Sequence, residues 1–254
     1  MRIPKKTQDR LAAGLRKYQK IVRKLAERDI SEADTVTVVK DILCDVFGYD
    51  KYEELTSEQQ IRGTFCDLAI QVDGKVHYLA EVKSAGTTLA ENHLRQAVNY
   101  GAHEGIEWVI LTNAIDWKVY RISFGKPVNW EEVCSFNMGA ITLRSKEDQE
   151  KLAILCRENI ASEALESFHK KAQILNRYVI AELLQTDSVV GLVRREIKKL
   201  FDGTKVTDEQ LRIILTNGVI KRDALDGDEP KAAKAKVKKA TNSLARKAAK
   251  KVQS

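Results

Sequence analysis

Residues 61–83 read IRGTFCDLAIQVDGKVHYLAEVK, two apolar–polar alternating runs on either side of Asp73-Gly74. That dipeptide between such runs is a strong short signal for a β-hairpin. Downstream, Thr88 with Glu91 three positions later predicts a capped helix running to about Tyr100. WVILTN at 108–113 then reads as a buried strand, and DWKVYRI at 116–122 as another after a tight turn. Upstream, Ser31 followed by Asp34 resembles a capping box, and Val39, Ile42, Leu43, Val46 and Phe47 before Gly48 predict a helix over 32–47. Ahead of it, Leu11, Leu15, Tyr18, Val22 and Leu25 fall at helical spacing among lysines and arginines, an amphipathic helix with a basic outer face. The order of elements describes an α/β unit whose strand signals end near residue 125.

Beyond residue 145 the pattern is helical. Ser145 caps KEDQEKLAILCREN, a long helical pattern fills 162–184, another covers 187–201 and stops at Gly203, and Thr207 with Gln210 opens a last short one. Residues 231–254 are mostly Lys and Ala and lack the apolar surface to hold a fold alone, although such sequence becomes helical once its charge is neutralised. The organisation expected is a basic amphipathic helix at 1–28, an α/β domain at 29–143, a helical region at 144–229, and a disordered basic tail at 230–254.

Charge divides the chain the same way. Residues 1–28 carry +8 and residues 231–254 carry +9, which leaves −10 for the stretch between them out of a net +7. Like-signed blocks of this kind bind polyanions, because each phosphate neutralised releases condensed counterions; the bland alternative is a solubilising tail. Cys44, Cys66, Cys134 and Cys156 form no C-x-x-C pair, so neither a zinc ribbon nor a disulfide framework is suggested and a reducing compartment fits. The charged N-terminus has no apolar signal region, and nowhere do eighteen apolar residues run together, so the expectation is a protein neither secreted nor membrane-spanning. No Gly-rich phosphate loop, G-x-S-x-G or H-E-x-x-H occurs, which leaves ATP-driven and small-molecule chemistry without support.

The chemistry-bearing residues are Asp67 on the first hairpin strand and Glu81-Val82-Lys83 at the end of the second. Two carboxylates on neighbouring strands can share a hard cation such as Mg²⁺, which favours oxygen ligands and keeps several waters. Lys83, two residues from Glu81, projects to the same strand face, where it can position or deprotonate a water or offset charge on a phosphoryl group. A plain two-residue turn at Asp73-Gly74 pairs Glu81 with Cys66 and leaves Asp67 on the opposite face. A bulge or a three-residue loop shifts the register by one and sets Asp67 beside Glu81, so the sequence predicts one or the other. Gln96 and Tyr100, four apart, share a helical face, although Tyr100 also suits a core position with its hydroxyl at the surface. His93 reads as a surface or packing histidine.

Taken together, RGTFCDLAI, YLAEVKSAG and QAVNY resemble the N-terminal nuclease domain of type I restriction endonuclease subunits, within the PD-(D/E)XK superfamily. The superfamily pattern of Asp, then E-x-K, then a helical Q-x-x-x-Y is matched by Asp67, by Glu81-Val82-Lys83 and by Gln96 through Tyr100, and SEADTVTVVKDIL resembles its first helix, with Glu32 in place of the glutamate there. The resemblance spans roughly residues 30–125. It implies a restriction-endonuclease-like core, a mixed central sheet flanked by helices, followed here by the helical region and basic tail. It implies catalysis by Asp67, Glu81 and Lys83, with Mg²⁺ (or Mn²⁺ in its place) on Asp67 and Glu81 and Glu32 acting through water. It implies that Gln96 and Tyr100 contact the nucleic acid backbone. With no P-loop in residues 1–254, ATP-driven translocation is not expected of them.

Two functions of different class fit. One is an Mg²⁺-dependent DNA endonuclease, cytoplasmic and nucleoid-associated, held on DNA without sequence choice by Lys231, Lys234, Lys236, Lys238, Lys239, Arg246, Lys247, Lys250 and Lys251. The other is an inert nuclease-like body that binds DNA as an adaptor. A homodimer stays open, since cutting both strands of a duplex takes two sites or two encounters.

Overall fold

The computed structural model describes residues 3–28, 30–61, 64–160 and 164–252, with the main chain alone at 26, 58–61, 64–65, 164–165, 245 and 247–252. It divides into two compact units, residues 1–169 and 170–254.

The first unit is built on a six-stranded sheet in the sequential order β1 (Leu55–Ile61), β2 (Thr64–Val72), β3 (Lys75–Val82), β4 (Trp108–Thr112), β5 (Asp116–Ser123) and β6 (Asn129–Asn137). All neighbours are antiparallel except β3 and β4, which run parallel and are joined through α3 (Arg95–Glu104), giving the mixed α/β sheet expected. Two strands went unread in the sequence, β1 and β6. Both lie at sheet edges, where one side needs no neighbour and the apolar alternation is correspondingly thin.

The β2–β3 hairpin decides where the carboxylates go. Asp73 and Gly74 both have positive φ (52° and 74°), so the turn is the tight two-residue kind, with Val72 opposite Lys75 and Gln71 opposite Val76. The pairing then jumps to Ile70 with Tyr78, leaving His77 as the extra residue of a β-bulge. Of the two devices that could shift the register, the chain uses the bulge.

Each sheet face has its own cover. On one, α1 (Lys5–Ala26), α2 (Glu32–Asp45) and α4 (Lys146–Leu155) bury Leu11, Leu15, Tyr18 and Val22, then Val39, Ile42 and Leu43, then Leu152–Leu155, in one cluster with Leu68, Ile70, Tyr78 and Ala80. The Tyr78 hydroxyl donates to the main-chain carbonyl of Ile154 (2.7 Å) and that of Tyr49 to Leu155 (2.8 Å), so both buried phenols also tether α4. The other face is covered by α3, whose Ala97, Val98 and Tyr100 pack with Cys66, Ala69, Leu79 and Leu111. Ser31 caps α2 and Ser145 caps α4 as expected. Thr88 does not cap: a 3₁₀ turn, Glu91–Leu94, precedes α3, and His93 Nδ1 accepts the N–H of Ala90 (3.3 Å). Gly48 ends the α2 region with φ +88°, directly over the Arg10 guanidinium. Arg10 in turn donates to the carbonyls of Val46 and Phe47 and to Glu158 on the short helix α5 (Arg157–Ile160). Side chains from Ile3 to Leu25 and from Leu152 to Ile160 are therefore parts of this unit's core, and the boundaries expected at 28 and 143 do not separate folding units.

In the second unit, the helical pattern of 162–184 breaks into α6 (Ala164–Ile174), whose first residues belong to the first unit, and α7 (Arg177–Leu184), because Asn176 accepts the N–H of Val179 and caps a new helix. Then come α8 (Asp187–Leu200), α9 (Asp208–Ile214) with the Thr207–Gln210 capping box, and α10 (Asp228–Val252). The last replaces the disordered tail expected at 230–254: a small cluster of Ala233 and Val237 against Val179 and Tyr178 anchors it. Lys/Ala sequence needs little more, since both residues have high helix propensity. No helix among the described residues is long and apolar enough to cross a membrane.

Candidate active site

On the β2 side of the bulge the pairs are Ile70 with Tyr78, Ala69 with Leu79 and Leu68 with Ala80. Continued one step, that register sets Asp67 opposite Glu81. Just beyond the last pair, the Asp67 carboxylate accepts the main-chain N–H of Val82 at 2.7 Å. The middle residue of the E-x-K triplet thus contributes its backbone, fixing one carboxylate against the strand that carries the other.

Glu81 is 4% exposed although it bears a carboxylate. Lys83 Nζ sits 2.9 Å from Glu81 Oε1 and 3.3 Å from Glu32 Oε2, so one ammonium bridges β3 and the first turn of α2. Burial pushes the Glu81 pKa up; the Lys83 hydrogen bond opposes this, while the charges of Asp67 and Glu32 add to it. For Lys83, burial pulls downward, but its hydrogen bond to Glu81 and the charges of Glu81, Glu32 and Asp67 outweigh that and hold the ammonium above lysine's ordinary value. Of the roles open to Lys83 from sequence, a fixed positive charge fits this setting better than a proton acceptor.

Asp67 and Glu32 also line a cavity of about 300 Å³, closed by Ala33 and Val36 of α2 and Ser57 of β1. Ser57 accepts a hydrogen bond from Lys40. Sequence reading missed Ser57 and Lys40 because β1 itself was missed, and the alternation TSEQQ carries no apolar phase to reveal it.

The donor set is right in kind for a hard cation: two carboxylates, one of them buried, brought to a common register by the bulge. Mg²⁺ uses one or two carboxylates and leaves its remaining positions to water and substrate phosphate, so Asp67 and Glu81 fit it. Among the described residues, no group of three or more His, Cys, Asp and Glu side chains is arranged to hold a metal, and Glu32 is committed to Lys83.

The helical pair is split. Tyr100 is 4% exposed and packs with Cys66, Ala69 and Leu79, whereas Gln96 is exposed on α3. Tyr100 thus takes the core position weighed for it. In the second unit, Lys231, Lys234, Lys236, Lys238, Lys239 and Arg246 are exposed along α10, whereas Ala233 and Val237 between them are buried. Lys231 pairs with Asp228 (3.1 Å) and Lys236 with Gln173 (2.8 Å). The side chains of Lys247, Lys250 and Lys251 lie outside the described residues.

Neither the curated proteins nor the solved structures contain a match to this chain. A family model does match, and it begins just after Glu32 and takes in Asp67, Glu81, Lys83, Gln96 and Tyr100. Residues 38–134 match the family described as type I restriction enzyme R protein N terminus (HSDR_N), the family that the motifs of this segment resemble.

Proposed function

We propose that the chain is an Mg²⁺-dependent endonuclease that hydrolyses phosphodiester bonds in DNA, with a PD-(D/E)XK centre formed by Asp67, Glu81 and Lys83. The observation that carries this reading is a buried Glu81 with the Lys83 ammonium 2.9 Å away, on a strand whose bulge brings Asp67 into the same register. Asp67 and Glu81 would hold Mg²⁺, or Mn²⁺ in its place, with Glu32 contributing through water. When bound, the ion supplies Lewis-acid polarisation of a phosphoryl oxygen and a more acidic water. The chain's own part is preorganisation: Val82 N–H fixes Asp67, burial keeps Glu81 out of bulk water, and the charged Lys83 offsets negative charge on the phosphoryl group. Gln96 and the α10 lysines would grip the DNA backbone without base choice, in the cytoplasm beside the nucleoid.

Incubating supercoiled plasmid with Mg²⁺ or Mn²⁺ tests this. The wild type nicks in a metal-dependent manner, and Lys83→Ala and Glu81→Gln each lose about a hundredfold to a thousandfold in rate. Variants as fast as the wild type would remove the centre from these residues. One observation favours a second reading, a catalytically inert nuclease-fold adaptor that binds DNA: the Lys83 ammonium already satisfies both Glu81 and Glu32. Under that reading DNA binds and no metal produces nicks. Under either, deleting residues 231–254 weakens binding and flattens its salt dependence, and an unchanged salt slope would take the lysines out of the interface.

A further inference from the structure

The α8–α9 hairpin is short of core. α8 and α9 pack on each other, and two ion pairs fix them antiparallel: Arg194 with Asp208 (3.3 Å) joins the middle of α8 to the start of α9, and Arg212 with Asp187 joins the end of α9 to the start of α8. Yet the buried residues of the hairpin are Val190 and Leu211 alone among those described. Leu192, Val193 and Leu200 of α8 are 50%, 39% and 68% exposed, and Phe201, Ile214 and Val219 around them are 62%, 59% and 61% exposed. On an α-helix, Leu192, Val193 and Leu200 fall within about 100° of one another, and Val193 lies about 60° from Val190. One edge of a single apolar stripe is buried within the hairpin and the other is left open.

We infer that this open face is a self-association surface, on which the hairpins of two copies pair across a two-fold axis into a four-helix arrangement. Charge selects the occupant. Residues 187–219 carry six Lys/Arg and five Asp/Glu, close to balance, whereas residues 231–254 carry +9 and no acid. A balanced surface gives a polyanion or an anionic lipid headgroup little to hold, but meets its own copy without net repulsion. The signs are also segregated along α8, with Asp187 at its start and Lys198 and Lys199 at its end. An antiparallel copy therefore brings acid to base and opposes the two helix dipoles. Six half-exposed large side chains offer roughly 600 Å² per copy, just under the ~800 Å² per partner of a standard interface, which points to a dimer of micromolar affinity.

Sedimentation velocity on the full chain, without DNA or metal, tests the pairing independently of any nuclease activity. Over about 1 to 100 µM the wild type passes from monomer to dimer. Leu200→Glu and Val193→Glu, each placing like charges across the axis, weaken association at least tenfold while far-UV circular dichroism is unchanged. Leu200→Ala, which introduces no charge, weakens it less. A wild type that stays monomeric to 100 µM overturns the inference, as does a dimer that persists in both charged variants. It is equally overturned if the same variants keep the wild-type mass but lose binding to anionic phospholipid vesicles or to duplex DNA, which would assign the face to those partners.

Discussion

Residues 1–169 cover a sheet on both faces, and their large apolar side chains at the surface are Tyr52, Phe124 and Val128 among those described; residues 170–254, half as long, expose twelve. The first unit gathers residues from helices distant in sequence around Trp117, which is fully buried and lies 5.7 Å from the Phe47 ring and 6.1 Å from that of Phe136. The second has only local helix order and a few buried contacts such as Val179 with Ala233 and Val237. A unit with its own core can hold side chains in a fixed geometry; one without it has apolar surface left for something else.

That contrast can be broken experimentally, because Trp108, Trp117 and Trp130 all lie in the first unit. Tryptophan fluorescence therefore follows the sheet unit, while far-UV circular dichroism follows helices in both. Trp117→Ala should cost about 3–5 kcal/mol in the fluorescence-detected urea transition, since it empties the centre of the core. A loss below ~1 kcal/mol would mean the core is not as continuous as its packing indicates. Gly48→Ala comes next, at about 1–2 kcal/mol: the residue has φ +88°, and a Cβ there would stand 2.5 Å from the Arg10 guanidinium. Smaller still is Glu158→Gln.

The Arg10 hydrogen bond, against the opposing effect of burial, holds the Glu158 carboxyl down at about 2 from its ordinary 4.5. Its folded pKa is depressed, so the stability it contributes is complete above about 4.5 and is lost as pH falls toward 2. Solvent screens a pair this exposed, so Glu158→Gln costs under ~1 kcal/mol at neutral pH and flattens the acid slope of the fluorescence-detected stability. A slope identical in wild type and variant would place the proton uptake elsewhere. The smallest effect belongs to the second unit: Leu244→Ser, at a residue 68% exposed on α10, stays within ~0.5 kcal/mol by circular dichroism.

The same contrast explains what could be read from residues alone. Hairpin, E-x-K triplet and helix caps at Ser31, Ser145 and Thr207 are local signals, and each has its counterpart in the structure. The need for a shifted register was also legible, because period-two geometry forbids Asp67 and Glu81 from sharing a face otherwise. Its location was not: nothing in QVDGKVHY distinguishes a bulge at His77 from a longer loop, since that choice is made by packing of Ile70 and Tyr78 into the sheet core. Strands β1 and β6 were silent for the opposite reason, with too little burial to impress an alternation. Asn176 was hidden inside an apolar rhythm that continues across it from Ile174 to Ile180. The last helix was hidden by composition, since a sequence without apolar surface reads as unfolded even where Ala233 and Val237 suffice to anchor it.

His77 has one further consequence. It is a single supernumerary residue, so it sets odd against even for the whole strand upstream of it. Paired into the ladder instead of bulged out, it would carry the register of the turn through the strand, and Cys66 rather than Asp67 would then stand across from Glu81. Flattening the bulge would part the two carboxylates while leaving every acid and base in the chain intact, whereas deleting His77 would keep Asp67 facing Glu81, so that their meeting depends on counting as much as on chemistry.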